Sequence, residues 1–404
     1  MFDPKYVAQV EEYCKRHELS LDEIKERIKK FEIVQASWCY CNSGTRFHLF
    51  PTVGAARNME EILQDAAQIQ KICGVCPNIG IETMVEDLDA GLDKTATAAR
   101  DLGIGIASFE PNVTARYEYR FGSLAAREES IRRQAIEWYH RNIELAKQLG
   151  VKVIVNWMGD GTNYPGEDSF RDRKHVLLES YKAIYDKLGD DMRLCLEYKP
   201  FEPRFYHTDD CDWGAANMYC NKLGEKAQVI VDTGHHLQGA NIEHIVSMLL
   251  DEKRMGGFHF NSKKYADDDL LVAAINPYEL YLIMNEIVDA QNDPRIAKNA
   301  NEIMFMIDQN HYMEDKMLSC VKSVMNIQTA YTKALLIDRA ALLDARVKHD
   351  VARAESLMMD AFQLDVRPLL AAVREEMGLE ADPFVMYKNS GYAEKIAAER
   401  GIAL

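Results

Sequence analysis

The sequence predicts an α/β fold, a (β/α)8 TIM barrel with an N-terminal helical arm and a C-terminal helical extension. Eight short apolar runs alternate with amphipathic segments along the 404 residues of the chain. Each run has the length and apolar character of a buried strand, and each is followed by apolar residues at helical spacing. Parallel strands need a right-handed crossover, and eight such units close into a barrel. The predicted strands span residues 32–37, 78–83, 103–109, 151–157, 193–198, 228–232, 256–261 and 303–308.

Helices are predicted before, between and after these strands. Residues 1–31 are highly charged and helix-periodic, and the stretch from Ser20 to Glu23 resembles a capping box, so they form the arm. Residues 32–318 form the barrel. Residues 319–404 return to helical periodicity, and we expect them to pack outside the barrel or against another subunit. The predicted crossover helices span residues 58–72, 93–102, 127–149, 173–188, 213–223, 242–251 and 278–289.

Composition limits the classes of function. The chain is 47% hydrophobic and 28% charged, which is typical of a globular protein with a packed core. Its net charge of −16 argues against nucleic acid, because nothing would supply electrostatic affinity for a phosphate backbone. The sequence has no apolar run of the roughly 18 residues that a membrane helix needs, and no hydrophobic signal segment. Nine cysteines indicate reduced thiols. We therefore expect a cytoplasmic protein without a membrane or nucleic-acid partner.

One short stretch, from Gln228 to His236, ends a predicted buried strand in two possible metal ligands. Asp232 and His235 offer a carboxylate oxygen and an imidazole nitrogen to one cation, as Mn, Mg, Co or Zn ions are commonly bound. Alone, this pattern is more typical of a helix N-cap followed by a surface histidine. The prediction of a metal site therefore depends on whether the other strand ends supply further ligands.

The ends of the neighbouring strands are also polar, and a barrel places its chemistry at these carboxyl ends. Each polar residue has a structural interpretation when taken singly. Glu197 and Lys199 on one side of strand five would make an ion pair, the run Asp267–Asp269 a solvated loop, and His259 a core histidine. Only their combination indicates more.

Together these residues direct a glutamate, four aspartates and two histidines at one axis. So many carboxylates would repel one another strongly without a cation between them. The oxygen-rich set suits two divalent metal ions, with Mn²⁺ the first choice and Mg²⁺, Co²⁺ or Zn²⁺ as alternatives. The predicted metal ligands are Glu197, Asp232, His235, His259, Asp267, Asp269 and Asp308.

This arrangement of strand ends resembles that of xylose-isomerase-like barrels. The amino-acid sequences of the motifs are similar to those of L-rhamnose isomerases of the broad-specificity bacterial type, over roughly residues 30 to 310. The motifs that carry this resemblance are Gly44–Phe47, Asp160–Gly166, Leu196–Lys199, Phe201–Pro203, Val231–His236, Phe258–Ser262 and Tyr265–Leu270.

The resemblance implies an aldose–ketose isomerase that moves hydrogen between C1 and C2 of an open-chain sugar, most simply L-rhamnose to L-rhamnulose. It implies one metal bound to the sugar oxygens and a second, catalytic metal, with Asp232 bridging them. The first would have the ligands Glu197, Asp232, His259 and Asp308, and the second His235, Asp267 and Asp269.

The resemblance also assigns roles to side chains around the sugar. Lys199 would hydrogen-bond the C1 carbonyl oxygen, and Trp157 would wall the site against the apolar face of the sugar. The predicted catalytic residues are Lys199, Glu197, Asp308 and Glu82, and the predicted substrate contacts are Trp157, Lys199, His235 and Trp38.

Two cations and an ammonium would stabilise negative charge on two neighbouring oxygens, and either a hydride shift or a cis-enediol route is compatible with that.

One position departs from the family pattern. Glu82 stands where these isomerases place a histidine that assists ring opening, so the preferred sugar stays open. His48 is a weaker candidate for sugar contact.

Two other functions stay open, a sugar 3-epimerase of the same barrel type and a non-catalytic carbohydrate-binding barrel. Epimerase chemistry usually requires one metal and two opposed glutamates. The presence of Lys199 and of the second metal group argues against an epimerase. Loss of activity is disfavoured by the intact ligands. The resemblance further implies a homotetramer, with the loop around Arg46 and Phe47 reaching a neighbouring site.

Overall fold

The protein is an eight-stranded parallel barrel, as predicted. The computed structural model describes residues 4–42, 50–84, 92–202, 205–310, 313 and 315–402. Its strands pair in sequence order, each parallel to the next. They are β1 (Gln35–Ala36), β2 (Asn78–Thr83), β3 (Gly105–Pro111), β4 (Val153–Trp157), β5 (Arg193–Glu197), β6 (Ala227–Asp232), β7 (Met255–Phe260) and β8 (Met304–Ile307).

The barrel closes through Val34, one residue before β1. The Val34 amide donates to the carbonyl of Phe305 at 2.7 Å, and the Ile307 amide donates to the Val34 carbonyl at 2.9 Å. The first strand is shorter than predicted, because the chain turns into a 3₁₀ helix at Ser37–Tyr40. That turn brings Trp38 to the carboxyl end of the barrel.

Helices cover the outside of the barrel, and their predicted positions are confirmed to within three residues. No helix in the described part of the chain combines the length and apolarity that a bilayer span requires. The described helices are α1 (Pro4–Arg16), α2 (Leu21–Lys30), α3 (Met59–Cys73), α4 (Leu92–Asp101), α5 (Glu129–Leu149), α6 (Phe170–Tyr185), α7 (Trp213–Leu223), α8 (Ile242–Asp251), α9 (Pro277–Asn292), α10 (Ala297–Asn301), α11 (Lys316–Leu335), α12 (Arg339–Val347), α13 (Val351–Gln363), α14 (Arg367–Glu376), α15 (Pro383–Ser390) and α16 (Tyr392–Arg400).

The N-terminal arm consists of α1 and α2, and the Ser20 hydroxyl caps α2 by accepting from the Glu23 amide at 3.3 Å. Helix α11 follows β8 and packs against both α9 and α3, so it completes the helical ring between the last and first units. It also runs across residue 318. The division of the chain at residues 31 and 318 stays a prediction.

One strand boundary was wrong in a way that matters for the site. β3 does not end at Phe109 but continues through Glu110 to Pro111, because Glu82 and Thr83 of β2 pair with these two residues. The extension carries the Glu110 carboxylate to the end of the barrel.

Some sequence features lie outside the described residues. The Gly44–Phe47 motif, with Arg46 and Phe47, is one of them, and His48 and Pro203 are others.

A buried ion pair attaches α16 to the first helix of the barrel. The guanidinium of Arg400 donates to both carboxylate oxygens of Asp65 on α3, at 2.7 and 2.9 Å, and to the carbonyl of Gly54 at 3.0 Å. Both side chains are 2% exposed. Asp65 also accepts from the Tyr392 hydroxyl at 2.7 Å, but Arg400 is the cation that pairs with it, so losing Arg400 leaves a buried carboxylate without its counter-ion.

A second buried network supports the ends of β4 and β5. Tyr139 of α5 donates to Asn156 Oδ1 at 2.5 Å, and Asn156 Nδ2 donates to Tyr181 of α6 at 3.1 Å. The Tyr181 hydroxyl then donates to Asp210 Oδ2 at 3.2 Å. The carbonyl of Asp210 accepts from the Lys199 amide at 3.0 Å, so the network extends to the backbone of Lys199.

Breaking the Arg400 pair should destabilise the fold. We expect Arg400→Met to lower the free energy of unfolding by about 3–5 kcal/mol, because Asp65 would stay buried without a cation. Urea denaturation followed by circular dichroism measures this. The control is Arg367→Met, since Arg367 pairs with Asp365 at an exposed position and should cost less than about 1 kcal/mol. Equal losses in the two variants would contradict the assignment.

Asp210 should make stability depend on pH. Burial raises its pKa from 3.8 to about 7, with Asp212 and Asp209 adding to the rise against the Tyr181 hydrogen bond. The folded state therefore binds a proton that the unfolded chain has released between about pH 4 and pH 7. Stability falls as pH rises through that window, by up to about 4 kcal/mol.

Asp210→Asn should remove this dependence, because the amide does not titrate. The gain of the variant over the wild-type protein should grow between pH 5 and pH 8 in urea denaturation. Asp190→Asn, at an exposed position, makes the same change of net charge and is the control. Parallel stability profiles of wild type and Asp210→Asn would contradict the prediction.

Candidate metal centre

A cavity of 320 Å³ opens at the carboxyl ends of the strands. Its wall contains most of the residues that the sequence analysis selected, contributed by every part of the barrel from β1 to β8. The cavity is lined by Trp38, Glu82, Glu110, Pro111, Asn112, Thr114, Trp157, Glu197, His235, His259, Asp267, Asp269, Asp308 and Asn310.

The first donor group lies on β5 to β8. Nδ1 of His259 is 3.0 Å from Glu197 Oε2 and 3.6 Å from Asp308 Oδ2. Asp232 completes the group, with one donor atom from each residue within 4.8 Å of the others. Glu197, Asp232 and His259 are buried, and Asp308 is 15% exposed. These are the four residues predicted for the first metal.

The second donor group shares Asp232 with the first. Nε2 of His235 lies 3.6 Å from Asp232 Oδ2 and 3.4 Å from Asp267 Oδ1. All three side chains are buried, and their donor atoms again lie within 4.8 Å of one another. The structure thus brings the two sets together around one carboxylate.

Asp269 was also predicted as a ligand of the second metal, but it lies outside both donor groups. Its side chain lines the cavity and contacts Asp267. Its backbone has a φ of +46°, a left-handed conformation that few non-glycine residues adopt. The ligand role of Asp269 stays a prediction.

The donor atoms fit a cation. Asp232 Oδ2, Asp267 Oδ1 and both ring nitrogens of His259 have no hydrogen-bond partner among the described residues, although they are buried. Buried polar atoms without a partner are rare and costly. Here they belong to oxygen and imidazole donors that face each other, which is the donor set of Mn²⁺ and related ions.

The charges around these atoms are unbalanced. Burial raises the pKa of Asp232 well above its usual range, and Asp308 adds to the rise against the effect of His235. Burial likewise raises the pKa of Asp269, together with Asp267. Burial alone would lower the pKa of His235, but Asp232 and Asp267 more than offset this and raise it to about 9. These shifts reflect a negative electrostatic potential at the site, which favours bound protons or a bound cation.

Local sequence explains how Asp232 is oriented. Its Oδ1 accepts from the Gly234 amide at 2.6 Å and from Asn261 Nδ2 at 2.9 Å, which leaves Oδ2 directed at both donor groups. A Cβ at Gly234 would lie 2.7 Å from Asn261 Oδ1, so this turn needs glycine. His235 is oriented in the same way, because its Nδ1 lies 3.1 Å from the Tyr198 carbonyl and its Nε2 faces the carboxylates.

Lys199 lies beside the second donor group. Its ammonium donates to Asp267 Oδ2 at 2.5 Å and stands 5.4 Å from the ring centre of Trp157. The side chain is 2% exposed. Burial alone would lower the pKa of Lys199, but the Asp267 carboxylate more than offsets this and raises it. The ammonium is thus charged and fixed at the edge of the centre.

The other predicted contacts lie on the opposite side of the cavity. The Trp38 indole donates to Asp308 Oδ1 at 2.5 Å, so it orients a predicted metal ligand as well as lining the cavity. Glu82 Oε1 accepts from Asn112 Nδ2 at 2.6 Å, and the Glu82 amide donates to the Ser37 hydroxyl at 3.1 Å.

Sequence reasoning missed Glu110 and Asn112. Glu110 is buried on the cavity wall, and its Oε1 lies 3.9 Å from His259 Nε2. Burial raises the pKa of Glu110 to about 8, against the effect of His259. Both residues would have been found by the same inspection of strand ends, had β3 been predicted to run two residues further.

Known proteins resemble this chain along nearly its whole length. The family model described as xylose isomerase-like TIM barrel matches residues 77–272. A protein of Rhizobium meliloti named as a probable sugar isomerase is 38% identical, over 95% of this chain and 90% of its own. A protein of Mesorhizobium japonicum with the same description is 36% identical, over 97% of this chain and 91% of its own.

Solved structures share the fold at low sequence identity. A D-allulose 3-epimerase from a Methylomonas species, in complex with D-allulose, superposes with a TM-score of 0.53 at 11% identity, covering 75% of this chain and 98% of its own. An L-ribulose 3-epimerase gives a TM-score of 0.51 at 12% identity, covering 75% of this chain and 96% of its own. With the relatives aligned over almost the whole sequence, these matches lead to one conclusion: the chain belongs to the xylose isomerase-like TIM barrel family.

Proposed function

We propose that this protein is a metal-dependent aldose–ketose isomerase, with L-rhamnose as the first candidate substrate and L-rhamnulose as its product. The observation that carries the proposal is the pair of donor groups that share Asp232, with the ammonium of Lys199 beside them. The two near full-length relatives named as probable sugar isomerases support the same reaction class.

The cavity has the size and chemistry of a monosaccharide site. Its 320 Å³ suits a small ligand, and Trp38 and Trp157 supply apolar surface among many polar groups. Aromatic walls match the apolar faces of a sugar, while carboxylates and amides match its hydroxyl groups.

Two divalent ions, Mn²⁺ first, would be held by the two donor groups. The first would be bound by Glu197, Asp232, His259 and Asp308, and the second by Asp232, His235 and Asp267, with Asp269 as a further candidate ligand. When bound, such ions supply Lewis-acid stabilisation of negative charge on two neighbouring sugar oxygens.

The side chains of the protein perform the remaining tasks. Lys199 would donate a hydrogen bond to the C1 oxygen of the open-chain sugar as negative charge grows there. Glu82, fixed by Asn112, would accept the proton of the anomeric hydroxyl during ring opening. The homotetramer that the resemblance implies and the cytoplasmic location that the sequence predicts belong to the same proposal.

A sugar 3-epimerase is the second candidate. The first donor group alone would hold one cation, with the carboxylates of Glu197 and Asp308 both facing Nδ1 of His259. In an epimerase of this kind, the second donor group and Lys199 would have no role. The isomerase is therefore favoured. The two reactions differ in product, a ketose from an aldose or a C3 epimer of a ketose.

The first test is ketose formation by chelator-stripped protein with and without added Mn²⁺. The panel contains L-rhamnose, L-mannose, L-lyxose, D-allose and D-xylose, with D-fructose and D-allulose added to detect epimerisation. We expect turnover that depends on the metal and is highest on L-rhamnose. Turnover highest on another aldose would keep the reaction and overturn the substrate. C3 epimerisation without aldose turnover would favour the epimerase, and no turnover with metal bound would reject both.

Asp232→Asn should lower turnover by about 100-fold or more, because both donor groups lose their shared anionic ligand. The matched control is Asp268→Asn in the neighbouring loop. Asp268 accepts from the amides of Lys264 and Tyr265, a role that the asparagine oxygen can keep, so near wild-type turnover is expected. Wild-type activity in Asp232→Asn would reject the shared-ligand assignment.

Glu82 should influence which sugar is preferred. Glu82→His introduces the residue that the resemblance to L-rhamnose isomerases leads us to expect here, with a different proton affinity and hydrogen-bond pattern. We expect the ratio of kcat/KM values between aldoses of the panel to change, while Mn²⁺ affinity stays within about twofold, because Glu82 lies outside both donor groups. Unchanged ratios across the panel would contradict a role in substrate preference.

A further inference from the structure

His259 is a buried side chain, and its two ring nitrogens face different groups. Nδ1 faces the carboxylates of Glu197 and Asp308, on the side where the first cation would lie. Nε2 points the other way, and its nearest carboxylate oxygen is Glu110 Oε1 at 3.9 Å. Although Nδ1 lies 3.0 Å from Glu197 Oε2, neither nitrogen makes a well-oriented hydrogen bond among the described residues. A neutral imidazole that binds a cation through Nδ1 must carry its proton on Nε2.

Glu110 occupies a prepared place inside the barrel. It is 9% exposed, and its Oε1 accepts from the Ser108 hydroxyl at 3.2 Å. The neighbouring strand makes room for both side chains through Gly80. A Cβ there would overlap Met306 Cε, and it would lie 2.7 Å from Ser108 Oγ and 3.1 Å from Glu110 Oε1. Gly80 therefore leaves space that these three side chains share, and the position of Glu110 depends on it.

We propose that Glu110 is a positioning residue that accepts a hydrogen bond from Nε2 of His259 and so presents Nδ1 to the cation. The inference rests on the metal centre of the proposed function. Ligating histidines usually donate their second ring nitrogen to a carboxylate or carbonyl, which fixes the tautomer and ring orientation and strengthens the ligand. Closing 3.9 Å to hydrogen-bond length needs a movement of about 1 Å, as expected when a site tightens on its ligand.

A direct ligand role for Glu110 fits the geometry less well. Its carboxylate lies on the Nε2 side of the imidazole ring, whereas the donor atoms lie on the Nδ1 side. Glu110 also belongs to neither donor group. Glu82, the Cα partner of Glu110 on β2, supplies a matched comparison, because it is the same residue type on the same cavity wall.

The experiment measures Mn²⁺ affinity of the chelator-stripped full chain from the electron paramagnetic resonance signal of free Mn²⁺, without sugar. Glu110→Ala should weaken the tighter class of sites by roughly 10- to 100-fold. Glu110→Gln should recover most of this loss, because its amide oxygen still accepts from Nε2. Glu82→Ala, which removes the same side chain from the same wall, should change affinity by less than about threefold.

Two further measurements separate positioning from other roles. In a His259→Gln background, Glu110→Ala should cause no additional loss, since its effect passes through the imidazole. Pulsed electron paramagnetic resonance of bound Mn²⁺ should show a hyperfine coupling to the ¹⁴N of His259. We expect this coupling to be altered in Glu110→Ala and restored in Glu110→Gln. Additional loss in the His259→Gln background would indicate that Glu110 binds the cation itself and would overturn the inference.

The outcomes distinguish this inference from the proposed function. Wild-type affinity and an unchanged ¹⁴N coupling in Glu110→Ala overturn the positioning role and leave the isomerase proposal standing. Absence of Mn²⁺ binding by the wild-type protein overturns both. If Glu110→Ala does not fold, Glu110→Met replaces it, because methionine fills a similar volume without an oxygen acceptor. Wild-type Mn²⁺ affinity and an unchanged ¹⁴N coupling in Glu110→Met would then overturn the positioning role.

Discussion

Mutual repulsion among buried carboxylates is the constraint on which this end of the barrel depends. Glu197, Asp232 and Asp267 are buried within a few ångströms of one another, where water cannot screen them. Lys199 and the two imidazoles offset part of the charge. The remainder is stable only because the barrel and its hydrogen bonds hold the groups in place. Bringing these charges together costs free energy on folding, and binding of divalent cations would offset that cost.

Parallel register is what concentrates these groups. In a barrel, the residues that end neighbouring strands are paired, so Asp232 lies beside His259 and Trp157 beside Glu197. The first donor group comes almost entirely from such strand ends, with Asp308 just after β8. The second group needs the loop after β7 to fold back and supply Asp267, which Lys199 then holds by an ion pair.

This difference explains how much could be predicted from the sequence. Alternating strands and helices indicated the barrel, and the strand ends indicated Glu197, Asp232, His259 and Asp308 without reference to any loop. Asp269 was harder, because its direction depends on a left-handed backbone angle that local sequence does not specify. Glu110 was missed because the end of β3 is set by pairing with β2, and element boundaries are the least certain part of such predictions. The buried Arg400 pair joins residues 335 positions apart, and no periodicity points to it.

That pair links the order of synthesis to the order of folding. Asp65 belongs to the first helix of the barrel, yet its counter-ion is made 335 residues later. At about 5–20 residues per second, α3 would wait roughly 20 to 70 s on the ribosome with a carboxylate that cannot yet be buried as a charge. The first βα unit therefore completes its packing only after β8 has emerged and closed the barrel. A chain that stops short of Arg400 would leave this helix without the ion pair that attaches it to the C-terminal helix.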